Sequence, residues 1–356
     1  MELRIIPYRI PFRTPFRTAT HEFRHREGHF LKFSCTGFSV WSEAAPLPGF
    51  SHETHVEVAH LLDYYHSDIQ NCLKQNRNPA VLEFYNTLPA SIRFSISLLW
   101  HQVKAMEMKK SLCEYLKGDH TAKIPVNATL GRVSVDEALE KVSNFAGNGY
   151  GTIKVKIGSD FEQELEVLKK IRAKYPELTL RVDANQSWSY EEALKHLSKL
   201  KNIQIEYSEE PLNSPTPESL SRIRAESSVP IAADESVRSA EDASQLLKSD
   251  AVDALILKPM LIGGIEEILR ISTRAEEAGV NVVFTTSLEA GVGRLITAQI
   301  AAGLLQHPVA CGLATGSMLT KDVFYDENFI HRGNFIIPED AGLGATPDFS
   351  NLDLDL

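Results

Sequence analysis

From residue 124 onward, short apolar runs alternate with amphipathic segments. The apolar runs, near 126–130, 152–157, 179–182, 203–207, 230–233, 254–257, 281–285 and 309–313, have the length and β-branched content of strands. Between them lie seven segments of helical periodicity, at 135–148, 160–173, 190–200, 217–225, 240–248, 265–278 and 292–305. Each unit is close to the roughly 30 residues of a βαβ element, and together they predict an α/β modified TIM barrel of (β/α)7β form, a parallel ring without a regular last helix. An open doubly wound sheet would need a glycine-rich phosphate turn after its first strand, and Leu130-Gly131-Arg132-Val133 is not one.

The first 120 residues read differently. Runs at 3–10, 29–36 and 38–43 predict strands, and residues 52–116 are helical in pattern with breaks near Asn78 and Leu88-Pro89. Residues 11–28, rich in Arg, Thr and His, predict a polar loop able to act as a lid, and residues 45–51 a second loop punctuated by Pro and Gly. From residue 322 the composition becomes turn-rich, which predicts a tail packed back on the first lobe. The expected organisation is an α+β capping lobe over 1–120, a barrel over 121–321 and a tail over 322–356. A length of 356 residues agrees with two lobes, since single cores stop growing at about 250 to 300 residues.

Composition narrows the partners. With 43% apolar and 24% charged residues and no biased tract, the chain is of ordinary globular type. A formal charge of -10 speaks against nucleic acid and anionic membranes as partners, because both call for a basic surface. The first residues lack the apolar run of a signal peptide and no stretch of about 18 apolar residues occurs, so a cytoplasmic location is expected. Cys35, Cys72, Cys113 and Cys311 are scattered without a Cys-x-x-Cys pair and are expected to be free thiols.

The candidate chemistry sits at the strand ends, where parallel barrels keep it. Lys154-Val155-Lys156, Asp183-Ala184-Asn185, Glu209-Glu210-Pro211, Asp234-Glu235-Ser236 and Leu257-Lys258-Pro259 close five consecutive strands with charge. A lone Asp there commonly caps the next helix, and a lone lysine pair edges a solvated strand. Recurrence on successive strands points to a site. Three carboxylates, Asp183, one of Glu209/Glu210, and Asp234, can converge on a hard divalent cation, Mg²⁺ or Mn²⁺, and alternation leaves the choice of glutamate open. Lys156 and Lys258, on the second and sixth of eight strands, would face each other across it. Such an ion bound to a substrate carboxylate stabilises an enediolate, and Lys154 beside Lys156 favours the neutral amine that a base requires. Asn185 is a candidate support for a ligand. Arg181 shares a face with Asp183, either to orient a ligand or as a buried ion pair. His21, His25 and His29 recur at helical spacing but lie in the expected solvated loop, where Arg13, Arg17 and Thr20 are candidates to meet an anionic substrate.

These motifs resemble the muconate-lactonising subgroup of the enolase superfamily. The resemblance implies an α+β cap over a modified (β/α)7β barrel, Asp183, Glu209 and Asp234 as Mg²⁺ ligands, Lys156 as base, and Lys154 and Lys258 as its partners, with proton abstraction beside a metal-stabilised ene-diolate. Within the subgroup, the segments at 45–54, 286–289 and 312–316 are similar to those of o-succinylbenzoate synthases of menaquinone biosynthesis. That likeness implies a lyase acting on a small-molecule carboxylate, in which Lys156 removes the α-proton and protonates the departing hydroxyl while Lys258 stays charged over the ring. Ser287, Gly312 and Thr315 would receive a substrate carboxylate. Dipeptide epimerases of the subgroup carry Asp-x-Asp on the last strand, whereas residues 311–316 hold no carboxylate. The alternatives are an N-acylamino acid racemase or dipeptide epimerase, and a non-catalytic barrel that binds a carboxylate metabolite. Either a monomer or a homo-oligomer is compatible with these features.

Overall fold

The computed structural model describes residues 1–17, 22–117, 121–307, 309–352 and 354. An antiparallel sheet of β1 (Glu2–Arg17), β2 (Glu22–Ser34) and β3 (Ser39–Ala44) opens the chain, paired in that order. Residues 11–17 and 22–28 of the polar stretch are therefore strand and not loop. They form the outer arms of a long hairpin, with a register irregularity between Pro11 and Phe16 and pairing that resumes at Phe16 opposite Phe23. Arg13, Thr14 and Pro15 are exposed at this irregularity, while Phe12 is buried and Phe16 and Phe23 pack against the core, a spacing too sparse to mark a strand by apolar alternation in the sequence. His25 and His29 fall on β2, His29 buried; His21 and Thr20 lie outside the described residues.

Helices α1 (His55–Tyr64), α2 (His66–Lys74), α3 (Ala90–Glu107) and α4 (Leu112–Lys117) follow, with short 3-10 turns at Pro79–Val81 and Tyr85–Thr87 where the breaks were expected. Leu31, Phe33 and Val40 of the sheet pack with Leu62, Ile92, Ile96 and Leu99 of α1 and α3 into one buried cluster.

After β4 (Lys123–Pro125), strands and helices alternate: β5 (Asn127–Leu130), α5 (Val135–Gly147), β6 (Thr152–Lys156), α6 (Phe161–Lys174), β7 (Thr179–Asp183), α7 (Tyr190–Leu200), β8 (Ile205–Glu209), α8 (Pro217–Glu226), β9 (Ile231–Ala233), α9 (Ala240–Lys248), β10 (Ala254–Leu257), α10 (Pro259–Ile262), α11 (Ile265–Glu277), β11 (Asn281–Phe284) and α12 (Gly291–Leu304). Strands β5 to β11 form one parallel sheet in sequential order. The expected eighth strand is reduced to two isolated parallel bridges, Val126 to Cys311 and Thr285 to Gly312, which join both sheet edges and close the ring. This is a modified TIM barrel with a capping domain. Every residue of β10 is buried, as a strand covered on both faces requires. Five barrel helices start at a side chain that accepts an N-terminal amide: Ser134, Asp160, Ser189, Thr216 and Ser239.

The tail adds α13 (Asp326–Phe329), β12 (Ile330–His331) and β13 (Asn334–Ile336), which pair with β4. Beyond it Phe349 packs on Trp41 at 4.7 Å and edge-on to Phe30 at 5.4 Å, both on the N-terminal sheet. Among the described residues no helix is long and apolar enough to cross a membrane.

Two helix starts lock cap to barrel. Helix α12 has no side-chain cap of its own; Glu43 of β3 accepts from Ala290 N at 2.9 Å and Gly293 N at 2.7 Å, and Asp322 accepts from Gly291 N at 2.7 Å. At the start of α11, Glu266 accepts from Asn78 Nδ2 at 2.7 Å, meets His101 Nε2 at 3.1 Å and accepts from the Ser97 hydroxyl at 3.3 Å. Burial works against the Glu266 charge, but the His101 and Asn78 bonds outweigh it and bring its carboxyl from 4.5 down to about 2. Because the folded value is the lower one, the stabilisation is complete above about pH 4.5 and is lost as pH falls toward 2. Glu266→Gln should cost about 1 kcal/mol at neutral pH, solvent screening included. Its urea-unfolding midpoint should converge on that of the parent chain as pH is lowered; a constant gap across the acid range would contradict this.

Candidate active site

Lys154 and Lys156 lie two residues apart on β6 and share a face. In-register pairing places Lys156 beside Asp183 and Asp183 beside Glu209, so the charged ends of β6, β7 and β8 lie level. Lys154 Nζ donates to Glu209 Oε1 at 2.9 Å and lies 3.1 Å from Asp183 Oδ2. Lys156 Nζ donates to Asp183 Oδ2 at 2.6 Å and to Asn185 Oδ1 at 2.8 Å. Lys258, following β10, pairs with Asp234.

The choice between the two glutamates is resolved by the backbone. Glu209 ends β8 facing Lys154, whereas Glu210 takes a left-handed conformation, φ 42°, that turns its carboxylate to the next loop. There it accepts from Asp234 N at 2.8 Å, Ser236 N at 3.2 Å and the Ser236 hydroxyl. Asn185, also left-handed at φ 45°, links the amine to the acids: its Nδ2 donates to Glu235 Oε1 at 2.9 Å.

Burial raises the cost of charge throughout. Burial opposes ionisation of Asp183, but Lys154 and Lys156 hold it well below the usual carboxylate range. Glu209 is raised by burial and then by the charge of Asp183. Burial carries Glu210 to about 7, and burial with the Asp183 charge carries Glu235 to about 7. Burial also lowers Lys258 to about 8, whereas Glu209 and Asp183 overcome burial to raise Lys154.

Among the described residues no three His, Cys, Asp or Glu side chains are gathered as a ready metal cage, because each carboxylate is closed on an ammonium. The donor set nonetheless fits a hard cation. Three ammonium groups pair with Asp183, Glu209 and Asp234 while Glu210 and Glu235 beside them have no lysine partner among the described residues, Glu235 Oε2 is buried without a hydrogen-bond partner, and the carboxylates offer only oxygen. The lysine nitrogens stand where positive charge is wanted. Asp183, Glu209 and Asp234 are the residues that could hold a divalent ion, supported by Asn185.

Above these groups lies a cavity of about 590 Å³, lined by Lys154, Lys156 and Lys258, by Phe16 of the hairpin, and by Leu47 and Phe50 of the 45–51 segment. Lys258 Nζ lies 5.4 Å from the Phe50 ring centroid. Ser287, Gly312 and Thr315 also line it, and the Thr315 and Thr286 hydroxyls are 2.9 Å apart. The Gly312 N–H, however, bonds Phe284 O at 2.9 Å and cannot receive a carboxylate. Gly312 is needed for close approach instead, since a Cβ there would stand 2.2 Å from Thr285 Oγ1. The Arg17 side chain lies outside the described residues. Arg181 takes its ion-pair alternative: buried, it donates to Glu206 Oε2 at 2.5 Å and to Ala310 O at 2.6 Å, tying the third stave to the eighth. The sequence reading missed Asp326, which lines the cavity from the tail, and no local pattern marks it. Its carboxylate is already engaged by Arg294 Nε at 3.1 Å and Ser317 N at 3.1 Å. Phe50 and Glu235 were also missed, although both stand inside motifs that the sequence singles out.

Two family models match the chain. The MenC N-terminal domain model covers residues 1–98, and the Enolase C-terminal domain-like model covers 137–351, well over half of the sequence. The chain belongs to the enolase superfamily. Among curated members, the o-succinylbenzoate synthase of Thermobifida fusca (strain YX) is 36% identical over 207 residues, 57% of this chain and 63% of that protein. The L-amino acid-D/L-Glu epimerase of Sulfurimonas denitrificans is 29% identical over 182 residues, 51% of this chain and 53% of that protein. The match thus spans less than two thirds of either relative. Among solved members of the superfamily, the dipeptide epimerase from Enterococcus faecalis V583 complexed with Mg and the dipeptide L-Leu-L-Tyr shares the fold, with a TM-score of 0.84 at 23% identity, over 96% of this chain and 98% of that one. Superfamily membership supports an enzyme, and over part of their length the curated relatives that the chain resembles include both synthases and an epimerase.

Proposed function

We propose that the protein is an o-succinylbenzoate synthase, a Mg²⁺-dependent lyase that removes water from 2-succinyl-6-hydroxy-2,4-cyclohexadiene-1-carboxylate. The observation that carries this reading is the cavity itself: two lysines from opposite staves, an aromatic ring against one of them, and a hydroxyl-lined far side whose single described carboxylate, Asp326, is already paired. A substrate ammonium would find no free acid there, and a ring with a carboxylate would find amines at one end and hydroxyls at the other. The likeness to synthases, through the MenC N-terminal match and the Thermobifida fusca relative, supports the same choice.

In this reading Asp183, Glu209 and Asp234 would hold the ion, which would supply positive charge to stabilise an enediolate. Lys156 takes the α-proton, breaking the C–H bond, and returns a proton to the departing hydroxyl on the same face. The C–O bond breaks, water leaves, and the ring becomes aromatic. Asn185 and Asp183 fix the Lys156 nitrogen at the cavity floor. Lys258, backed by Asp234 and Phe50, presents charge to the forming ring.

The relationship to the Sulfurimonas denitrificans epimerase favours one second reading, a racemase or epimerase in which Lys156 and Lys258 exchange protons on opposite faces. Incubation with the cyclohexadiene should give the ultraviolet band of the aromatic product. Parallel incubations in D₂O with N-succinylamino acids and dipeptides should return unlabelled substrate. Label in recovered substrate with no aromatic product would reject the synthase reading. A carboxylate as substrate, and either a monomer or a homo-oligomer as the working form, belong to the same proposal.

A further inference from the structure

Arg26 sits on β2 with 2% of its surface exposed, remote in sequence from the lysines and carboxylates of the strand ends. Its Nε donates to Leu288 O at 2.9 Å; Nη1 donates to Glu27 O and Pro46 O, each at 2.8 Å; Nη2 donates to Ala45 O. Two of those carbonyls belong to the cap segment whose Leu47 and Phe50 form one wall of the cavity. Another belongs to Leu288, which lines the cavity from the end of the seventh stave and holds a left-handed φ of 62° that a leucine adopts only under constraint. Burial pushes the carboxyls of Glu43 and Glu289 up and the nearby guanidinium works against it, and Glu43 also caps the helix that begins just after Leu288.

A buried cation is a poor device for stability alone, since apolar side chains of equal volume commonly do as well. A planar fork is different, because it imposes direction on each carbonyl it meets. Here it ties two walls of one cavity that belong to different domains.

We propose that Arg26 is a positioning residue that sets the width of the cavity, holding Leu47 and Phe50 of the cap in register with Leu288 of the barrel so that both walls move together. Its effect on turnover rests on the reading of this cavity as the substrate site; its effect on the walls does not.

The test is hydrogen exchange and kinetics on Arg26→Lys in the full chain. Lysine keeps the charge and loses the fork. Amides at 45–51 and at 286–289 should exchange faster together, by about tenfold or more, the size of one lost hydrogen bond to a charged group, while α3 and the body of α12 keep their rates. KM for the cyclohexadiene should rise by about the same factor with kcat changed less than about threefold. Millimolar guanidinium, and not ammonium, should restore KM in Arg26→Ala. Faster exchange at only one wall, uniform loosening of the whole cap, or an unchanged KM would each overturn the proposal. If the parent chain does not convert the cyclohexadiene, the functional reading fails and the exchange data alone decide the role of Arg26. Should the lysine variant not fold, Arg26→Gln carries the same two readouts.

Discussion

Lys156→Ala is expected to lower kcat by about a thousandfold or more, because one amine both takes and returns the proton and each role is worth about 10² to 10⁴. Lys156 is a third exposed and bonds only side chains, so its removal should leave the fold intact by circular dichroism. The variant should also stop exchanging the substrate α-hydrogen with D₂O. Lys258→Ala, by contrast, should slow product formation while leaving α-hydrogen exchange measurable, since in the synthase reading Lys258 carries charge and no proton. If Lys258→Ala abolished exchange and Lys156→Ala did not, the two lysines would have to trade roles and the syn elimination would be wrong.

Chelation should be as severe. Dialysis against EDTA should remove activity to the level of Lys156→Ala, and Mg²⁺ should restore it. Bound at a hundredfold excess over its dissociation constant, the ion should stabilise the fold by about 2.7 kcal/mol, a thermal shift of several degrees. Asp183→Asn should lose both responses, because its carboxylate lies at the centre of the cluster and accepts from both Lys154 and Lys156. A variant that kept the thermal response to Mg²⁺ would move the ion away from Asp183. Full activity in EDTA would remove the ion from the reaction.

The barrel was legible because its signals are local. Apolar strands of three to five residues, capped helices and charged strand ends each announce themselves within a few positions, and the lysine and carboxylate ends that the sequence marks do meet in space. What could not be read depends on partners far along the chain. The outer hairpin carries only widely spaced apolar anchors, Phe12, Phe16 and Phe23, and no strict alternation, so residues 11–28 looked like a loop. Glu209 and Glu210 are interchangeable by pattern, and only the positive φ at Glu210 separates them. Asp326 lines the cavity from the tail, far along the chain from the strand ends, and the loss of the Gly312 N–H to Phe284 follows from how the ring closes.

The start of α12 carries a consequence for how such chains can diverge. Its first amides are completed by Glu43, more than two hundred positions upstream, and by Asp322 from the tail. A cap borrowed from a paralogue would arrive without the acid that this helix needs, and a truncated tail would withdraw the other. Recombination within the superfamily should therefore transplant the cap sheet, the seventh barrel unit and the tail as one heritable block. Chimeras cut between them should be recovered only with a compensating acidic residue at one of the two seams.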